Sequence, residues 1–266
     1  MRLSPPEPVL RACVVVPARN EEDLISSCLL ALATQRTVQS EEYEVLLVLD
    51  HCTDATHARA REIASSCPHL RLHFLDGPAE GSGAARRVGM DVARDRLLQV
   101  GRPDGLVACT DADSIVAQDW ISAQLHAVSE GSRAIGGRIE LANDGSLPVG
   151  VLAQHAEQGR LRHKRLLSEP GHPGKPEHWQ FSGASLALTA SVYAEVGGLE
   201  PLADLEDEHL EGVLRRHGIP IDRLLSVRVT TSPRLKGRGN RGLAHDLAAA
   251  AARLDSGKQS SRPAAS

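Results

Sequence analysis

Residues 107–120 read VACTDADSIVAQDW, an apolar run that ends in two aspartates one residue apart, Asp111 and Asp113. In extended backbone, residues i and i+2 project to the same side, so the two carboxylates can face one ion or ligand together. Hard oxygen ligands of this kind suit Mg²⁺ or Mn²⁺ that shares its coordination with substrate phosphates. In isolation such a pair more often solvates a strand end or begins a helix. PARNEE (17–22) and LDHCTDAT (49–56) raise the same choice. Helix capping and a first-turn preference for acids explain Asn20, Glu21, Glu22 and Asp54 without any chemistry. Asp50, at the end of its apolar run, is better placed for a ligand.

Three further segments carry charge where a site could use it. GPAEGSGAARRVG (77–89) opens like a dinucleotide fingerprint at Gly81-Ser82-Gly83. However, it follows the third apolar run rather than the first, and Arg86 stands where a glycine would permit close helix–strand packing. That argues against the dinucleotide assignment. A guanidinium at a glycine-rich helix start still suits a phosphate-bearing ligand, and an exposed helix face explains Arg86 and Arg87 equally well. In LEDEHLEGVLRRHG (205–218), Leu205, Leu210, Val213 and Leu214 form the apolar stripe and leave Asp207 on the far side. The helix dipole alone favours Asp204, Glu206, Asp207 and Glu208 there, so Asp207 is available as a general base without being marked as one. SPRLKGRGNRG (232–242) carries Arg234, Lys236, Arg238 and Arg241, a basic loop that could close over a diphosphate or simply be solvated. His209, His217 and His245 lack metal-site spacing.

Elements that would position these residues alternate along the chain. Apolar runs at 12–17, 44–50, 70–76 and 105–111 read as buried strands, separated by helical patterns after Asn20, from 54 to 67 and through Leu98. This alternation predicts a mostly parallel sheet with helices on both faces. In such sheets ligands bind beyond the carboxyl ends of the strands, where Arg19 to Glu22, Asp50, Asp76 and Asp111/Asp113 fall. Further on, 133–141 and 181–189 read as strands, 151–167 as a helix with a basic face and 206–218 as a helix ended by Gly218. The expected division is a flexible start (1–10), one domain over 11–245 with halves at about 11–115 and 116–245, and a helix end plus disordered tail over 246–266.

The net charge of −4 gives no electrostatic reason to expect a nucleic-acid partner, and six aromatic residues offer few stacking platforms. Five cysteines without finger spacing suit free thiols in a reducing cytoplasm. No signal peptide or membrane-length apolar run is present, which points to a cytoplasmic protein and leaves peripheral membrane association open.

Taken in order, VVVPARNEE, VLLVLDHCTDAT, GSGAARRVG, VACTDADS, FSGASLALT with VGGLEPL after it, and LEDEHLEGVLRRHG resemble the GT-A nucleotide-sugar glycosyltransferases of family 2. The resemblance runs from about 12 to 218 and implies a Rossmann-like α/β sandwich and a metal-dependent inverting transfer from a UDP- or GDP-sugar to a hydroxyl acceptor. It implies that the turn from Pro17 through Arg19 and Glu21 holds the nucleoside together with Asp50, which lies near the base. Gly83 and Arg86 would line the donor site, Asp111 and Ala112 would approach the ribose or sugar, and Asp113 would hold Mg²⁺ or Mn²⁺. Gly183 and Ala184 would floor the sugar site, and Asp207, paired with Glu206, would be the base. Arg234 or Arg238 would close over the diphosphate. LDHCTD departs from the commoner acidic-Gly-Ser turn, so His51 and Cys52 bear on donor choice, and an Arg often found in the helix past the acidic pair is replaced in EGVLRRHG.

Competing chemistries fit less well. A nucleotidyltransferase needs a basic, glycine-rich loop after the first strand, where PARNEE is acidic. A non-catalytic binder would tolerate loss of the base, yet Asp113 and Asp207 are both present. A retaining transferase of related fold would often carry a late histidine, and 225–241 has none. The basic segment 150–180 points to an anionic acceptor as readily as to a solvated helix face.

Overall fold

The strand β1 (Ala12–Ala18) is buried along its length because both of its faces are covered. Its alternate residues divide between two cores. Val14 and Val16 pack with Leu29, Leu32 and Trp120, whereas Cys13 and Val15 pack with Met90, Leu97 and Tyr193. This two-sided burial is why the sequence there is continuously apolar rather than alternating. The computed structural model describes residues 3–168, 176–202, 204–237 and 241–260, the last six for their backbone.

After β1 come α1 (Ile25–Ala33), β2 (Tyr43–Leu49), α2 (Thr56–Ser66), β3 (Leu72–Asp76), α3 (Ser82–Gln99) and β4 (Leu106–Cys109). They are followed by β5 (Ser114–Val116), α4 (Trp120–Ser129), β6 (Ala134–Leu141), α5 (Val149–Ser168) and β7 (Leu186–Thr189). The chain continues with α6 (Ala190–Glu195), α7 (Glu206–Arg216), β8 (Ile221–Thr231) and α8 (Leu243–Ser260). The strands join in one sheet of order β3-β2-β1-β4-β7-β6-β8-β5. The first four are parallel, β7 runs antiparallel to both β4 and β6, and β5 runs antiparallel to β8. The sheet is therefore mixed, with the half formed by β1 to β4 parallel as expected.

Two terminal expectations change. Residues 3–10 are held rather than loose: Leu10 is fully buried, Arg96 Nη1 donates to the Ser4 carbonyl at 2.9 Å, and Arg71 pairs with Glu7 at 2.9 Å. At the other end α8 continues past Leu254 to Ser260, and its Leu247 and Ala250 pack with Leu147 and Val151 beneath α5. The last six residues lie outside the described ones. The expected strand at 181–189 begins only at Leu186, because Ser182 to Ser185 make a turn closed by Ser185 N on the Ser182 carbonyl at 2.8 Å.

Candidate active site

The carboxyl ends of β1, β2 and β4 open onto a cavity of about 1030 Å³, closed on its far side by α5, α7 and the segment after β8. The turn after β1 is built against the turn after β2. Asn20 takes a left-handed backbone (φ 56°) and accepts from Thr53 N at 2.8 Å, while Glu21 N donates to Thr56 Oγ1 at 2.7 Å. Asp54 accepts from Thr56 N at 3.0 Å, but the N-cap of α2 is Ala55, so Asp54 closes the turn before the helix rather than capping it. Pro17, Arg19 and Glu21 line the cavity.

Asp50 lies on the same wall but is 2% exposed, and its carboxylate accepts from Ala79 N at 2.6 Å and Gly81 N at 3.3 Å. It ties the loop before α3 to the end of β2. Gly83 lies off the cavity wall: a Cβ there would stand 2.0 Å from the Leu202 carbonyl oxygen, so its smallness serves packing against Leu202 and Glu206.

Arg86 is the organising residue. It is 3% exposed, not on an open helix face. Its Nη2 donates to Asp111 Oδ1 at 3.0 Å, its Nε to Glu206 Oε1 at 3.1 Å and its Nη1 to the Gly183 carbonyl at 3.0 Å. One guanidinium thus links the acidic pair after β4, the acidic pair opening α7 and the turn before β7. These contacts use three of its five N–H donors, and the residue lines the cavity. Gly183 has no room for a side chain, because a Cβ would meet Arg86 Nη2 at 2.3 Å. Burial pushes the Glu206 carboxyl up, a shift that Arg86 opposes and neighbouring Asp207 reinforces.

Asp207 does not sit on the far side of α7. Leu205, just before the helix, is left-handed (φ 62°), a costly backbone for a bulky residue. From that kink Glu206 and Asp207 both reach the cavity. Asp207 Oδ2 accepts from Gly183 N at 3.2 Å and Oδ1 from Glu208 N at 2.8 Å. Ala112 and Ala184 complete the same wall.

Asp113 meets a cation already in place. Arg234 Nη2 lies 2.8 Å from Asp113 Oδ2, and the same guanidinium makes a two-pronged pair with Glu21 at 3.0 and 2.9 Å. Ser114 and Thr231 hydroxyls donate to Asp113 Oδ1 at 3.3 and 3.4 Å. Burial, then repulsion from Asp111 and Glu21, pushes the Asp113 carboxyl up to about 6 against the pull of Arg234. Among the described residues no three Asp, Glu, His or Cys side chains gather as a ready metal cage. The donor set is nonetheless all carboxylate oxygen and carries negative charge that Arg234 does not fully offset. That suits a hard divalent ion which takes one or two carboxylates and fills its remaining positions from phosphates and water. Arg238 lies outside the described residues. Trp179 and Arg223, which line the outer cavity, carry no sequence signal that marks them.

The match to known proteins agrees with this geometry. Residues 13–183 match the model of glycosyl transferase family 2, which is more than half of the chain. The fold is that of the GT-A glycosyltransferases. The chain belongs to glycosyl transferase family 2. Among solved structures it is similar to the mannosyltransferase PcManGT from Pyrobaculum calidifontis, in complex with GDP-Man and Mn²⁺, at 19% identity and TM-score 0.62. That match covers 90% of this chain and 60% of the mannosyltransferase. It is also similar to S. aureus TarS 1–349 in complex with UDP-GlcNAc, at 17% identity and TM-score 0.61, covering 93% of this chain and 73% of that one. Against the longer TarS structure the chain spans 41% of the length. No curated protein sequence matches the chain.

Proposed function

We propose that this chain is a metal-dependent, inverting glycosyltransferase that moves a sugar from a nucleoside diphosphate to an acceptor hydroxyl, with residues 11–245 acting as one catalytic domain. The observation that carries this is Arg86, which bonds Asp111 and Glu206 at once and so joins the donor-side and base-side acids in a single cavity.

Asp113 would hold the divalent ion, which when bound supplies positive charge to the diphosphate. Arg234, anchored on Glu21, is placed to turn from Asp113 to the departing phosphate oxygens and stabilise the charge that grows there. As the anomeric carbon–oxygen bond breaks, that carbon becomes oxocarbenium-like. The acceptor oxygen attacks the opposite face and passes its proton to Asp207, whose carboxylate Gly183 N and Glu208 N hold in position. One bond forms, one breaks, and the nucleoside diphosphate leaves with its electron pair. Among the described residues no helix is long and apolar enough to cross a membrane, and action in the cytoplasm with peripheral membrane contact completes the proposal.

The donor half is tested by thermal-shift titration of UDP, GDP and dTDP with Mn²⁺. At least one nucleotide is expected to raise the midpoint only with metal present, and Asp113→Ala to abolish the rise. Stabilisation by none of the three, or an undiminished rise in Asp113→Ala, refutes the donor assignment.

A further inference from the structure

Beyond the base the cavity opens between α5, Trp179 and the start of α8, and there its wall is basic. This region is built rather than merely solvated. Gly159 admits the Trp179 indole against α5, since a Cβ would stand 2.9 Å from Trp179 Nε1. Arg223, 1% exposed on β8, donates from Nε to the Trp179 carbonyl at 3.3 Å and from Nη2 to Glu211 at 2.7 Å. Its buried Nη1 meets no acceptor, although the residue borders the cavity.

On the ring that Gly159 and Arg223 fix, the Arg162 guanidinium stands 4.6 Å from the centroid. Stacking pre-orders a planar guanidinium and leaves its N–H edge for a ligand. Among the described residues Arg162 pairs with Asp246 at 3.6 Å, and both partners are about half exposed, so that pair is weak. Arg165, one turn further along α5, lines the same wall and pairs with no carboxylate among the described residues. From this wall a second groove of about 430 Å³ runs between α5 and α8, lined by Leu161, Arg162, Arg165 and Arg253. In this second groove the three arginines face one acid, Asp246.

Resting on the transferase assignment above, we infer that this shelf takes the acceptor by an anionic group, a phosphate or carboxylate, held by Arg162 and Arg165 while the acceptor hydroxyl lies at Asp207. The stacked Arg162 sets the direction of approach, Arg165 adds the second cation, and the unpartnered Arg223 Nη1 deepens the positive field behind them. A neutral sugar would leave these cations uncompensated and bind without register.

The test is calorimetric titration of the full chain with glucose 6-phosphate and glucuronate, glucose serving as the neutral control. It is run with the donor site filled by UDP or GDP plus Mn²⁺, and again without nucleotide. At least one anion is expected to bind ten-fold or more tightly than glucose with the nucleotide in place. Arg162→Gln/Arg165→Gln is expected to lose that advantage, and Arg162→Lys/Arg165→Lys to keep part of it. Both arginines are exposed, so an unchanged thermal midpoint checks that the variants fold. Equal affinity for anions and glucose, no anion binding, or anion binding that survives the double Gln substitution overturns the inference. Failure of nucleotide binding with anion binding intact counts against the donor assignment alone. Phosphate binding without carboxylate binding, or the reverse, identifies which anion the acceptor carries.

Discussion

Replacing Arg86 by methionine isolates the clamp on which the site depends. The substitution keeps the apolar stem and removes a guanidinium that is 3% exposed and bonded to Asp111, Glu206 and the Gly183 carbonyl. Asp111 is one-third exposed and can recover water, so its share is small. Glu206 is 6% exposed and cannot. Leaving one buried ion without its partner costs about 3–5 kcal/mol. For 266 residues at roughly 2 cal/mol/K each, that corresponds to a drop in midpoint of about 5–9 °C. The deficit should depend on pH. Burial already holds the Glu206 carboxyl above its ordinary value, and losing Arg86 raises it further. A carboxyl raised in the folded state contributes stability that is lost as pH rises. The deficit in Arg86→Met is therefore larger at pH 8 than at pH 5, and Arg86→Met/Glu206→Gln recovers part of it. Denaturant unfolding at the two pH values measures this. A deficit under about 1 kcal/mol, or one independent of pH, refutes the clamp.

Two other perturbations follow from the same geometry. Arg234 shares Asp113 with any arriving cation, so Arg234→Gln should bind Mn²⁺ alone about ten-fold more tightly, a gain of about 1.4 kcal/mol, yet bind Mn²⁺ with nucleotide more weakly. Spin-resonance titration reads both, and unchanged Mn²⁺ affinity refutes the competition. Glu44 is fully buried and paired with Arg96 and His73; although burial pushes its carboxyl up, these partners hold it down at about 2. Its contribution is present above its unfolded value near 4.5 and lost as pH falls towards 2. Glu44→Gln should thus cost about 3–5 kcal/mol at pH 7 and visibly less at pH 3 in unfolding titrations, whereas a constant gap contradicts the pairing.

The parallel half of the sheet is legible in the sequence because strands covered on both faces must be apolar throughout, as VVVP and VLLVL are. β8 is not, since its pattern is inverted by the site: Arg223 is 1% exposed whereas Leu225 is 47% exposed. The acidic pair after β4 can be found by its position, but not its partners. Local spacing leaves Arg86 equally free to face water or the cavity, and only the close approach of Gly183 and Glu206, about a hundred residues away, decides it. Asp207 fails the helical-wheel argument for a backbone reason. The wheel begins at Glu206, and the left-handed Leu205 before it sets where that wheel points. No propensity of leucine signals such a kink, which tertiary packing must impose.

The turnover of Asp207→Asn, set beside its donor affinity, bears most directly on the proposed chemistry. Asparagine keeps the size and can still accept from Gly183 N, but cannot take the acceptor proton. With a UDP- or GDP-sugar and Mn²⁺, transfer to the anionic acceptor is expected to fall about 10²–10⁴-fold while the nucleotide dissociation constant stays within about two-fold. Turnover equal to that of the unsubstituted protein contradicts Asp207 as the base.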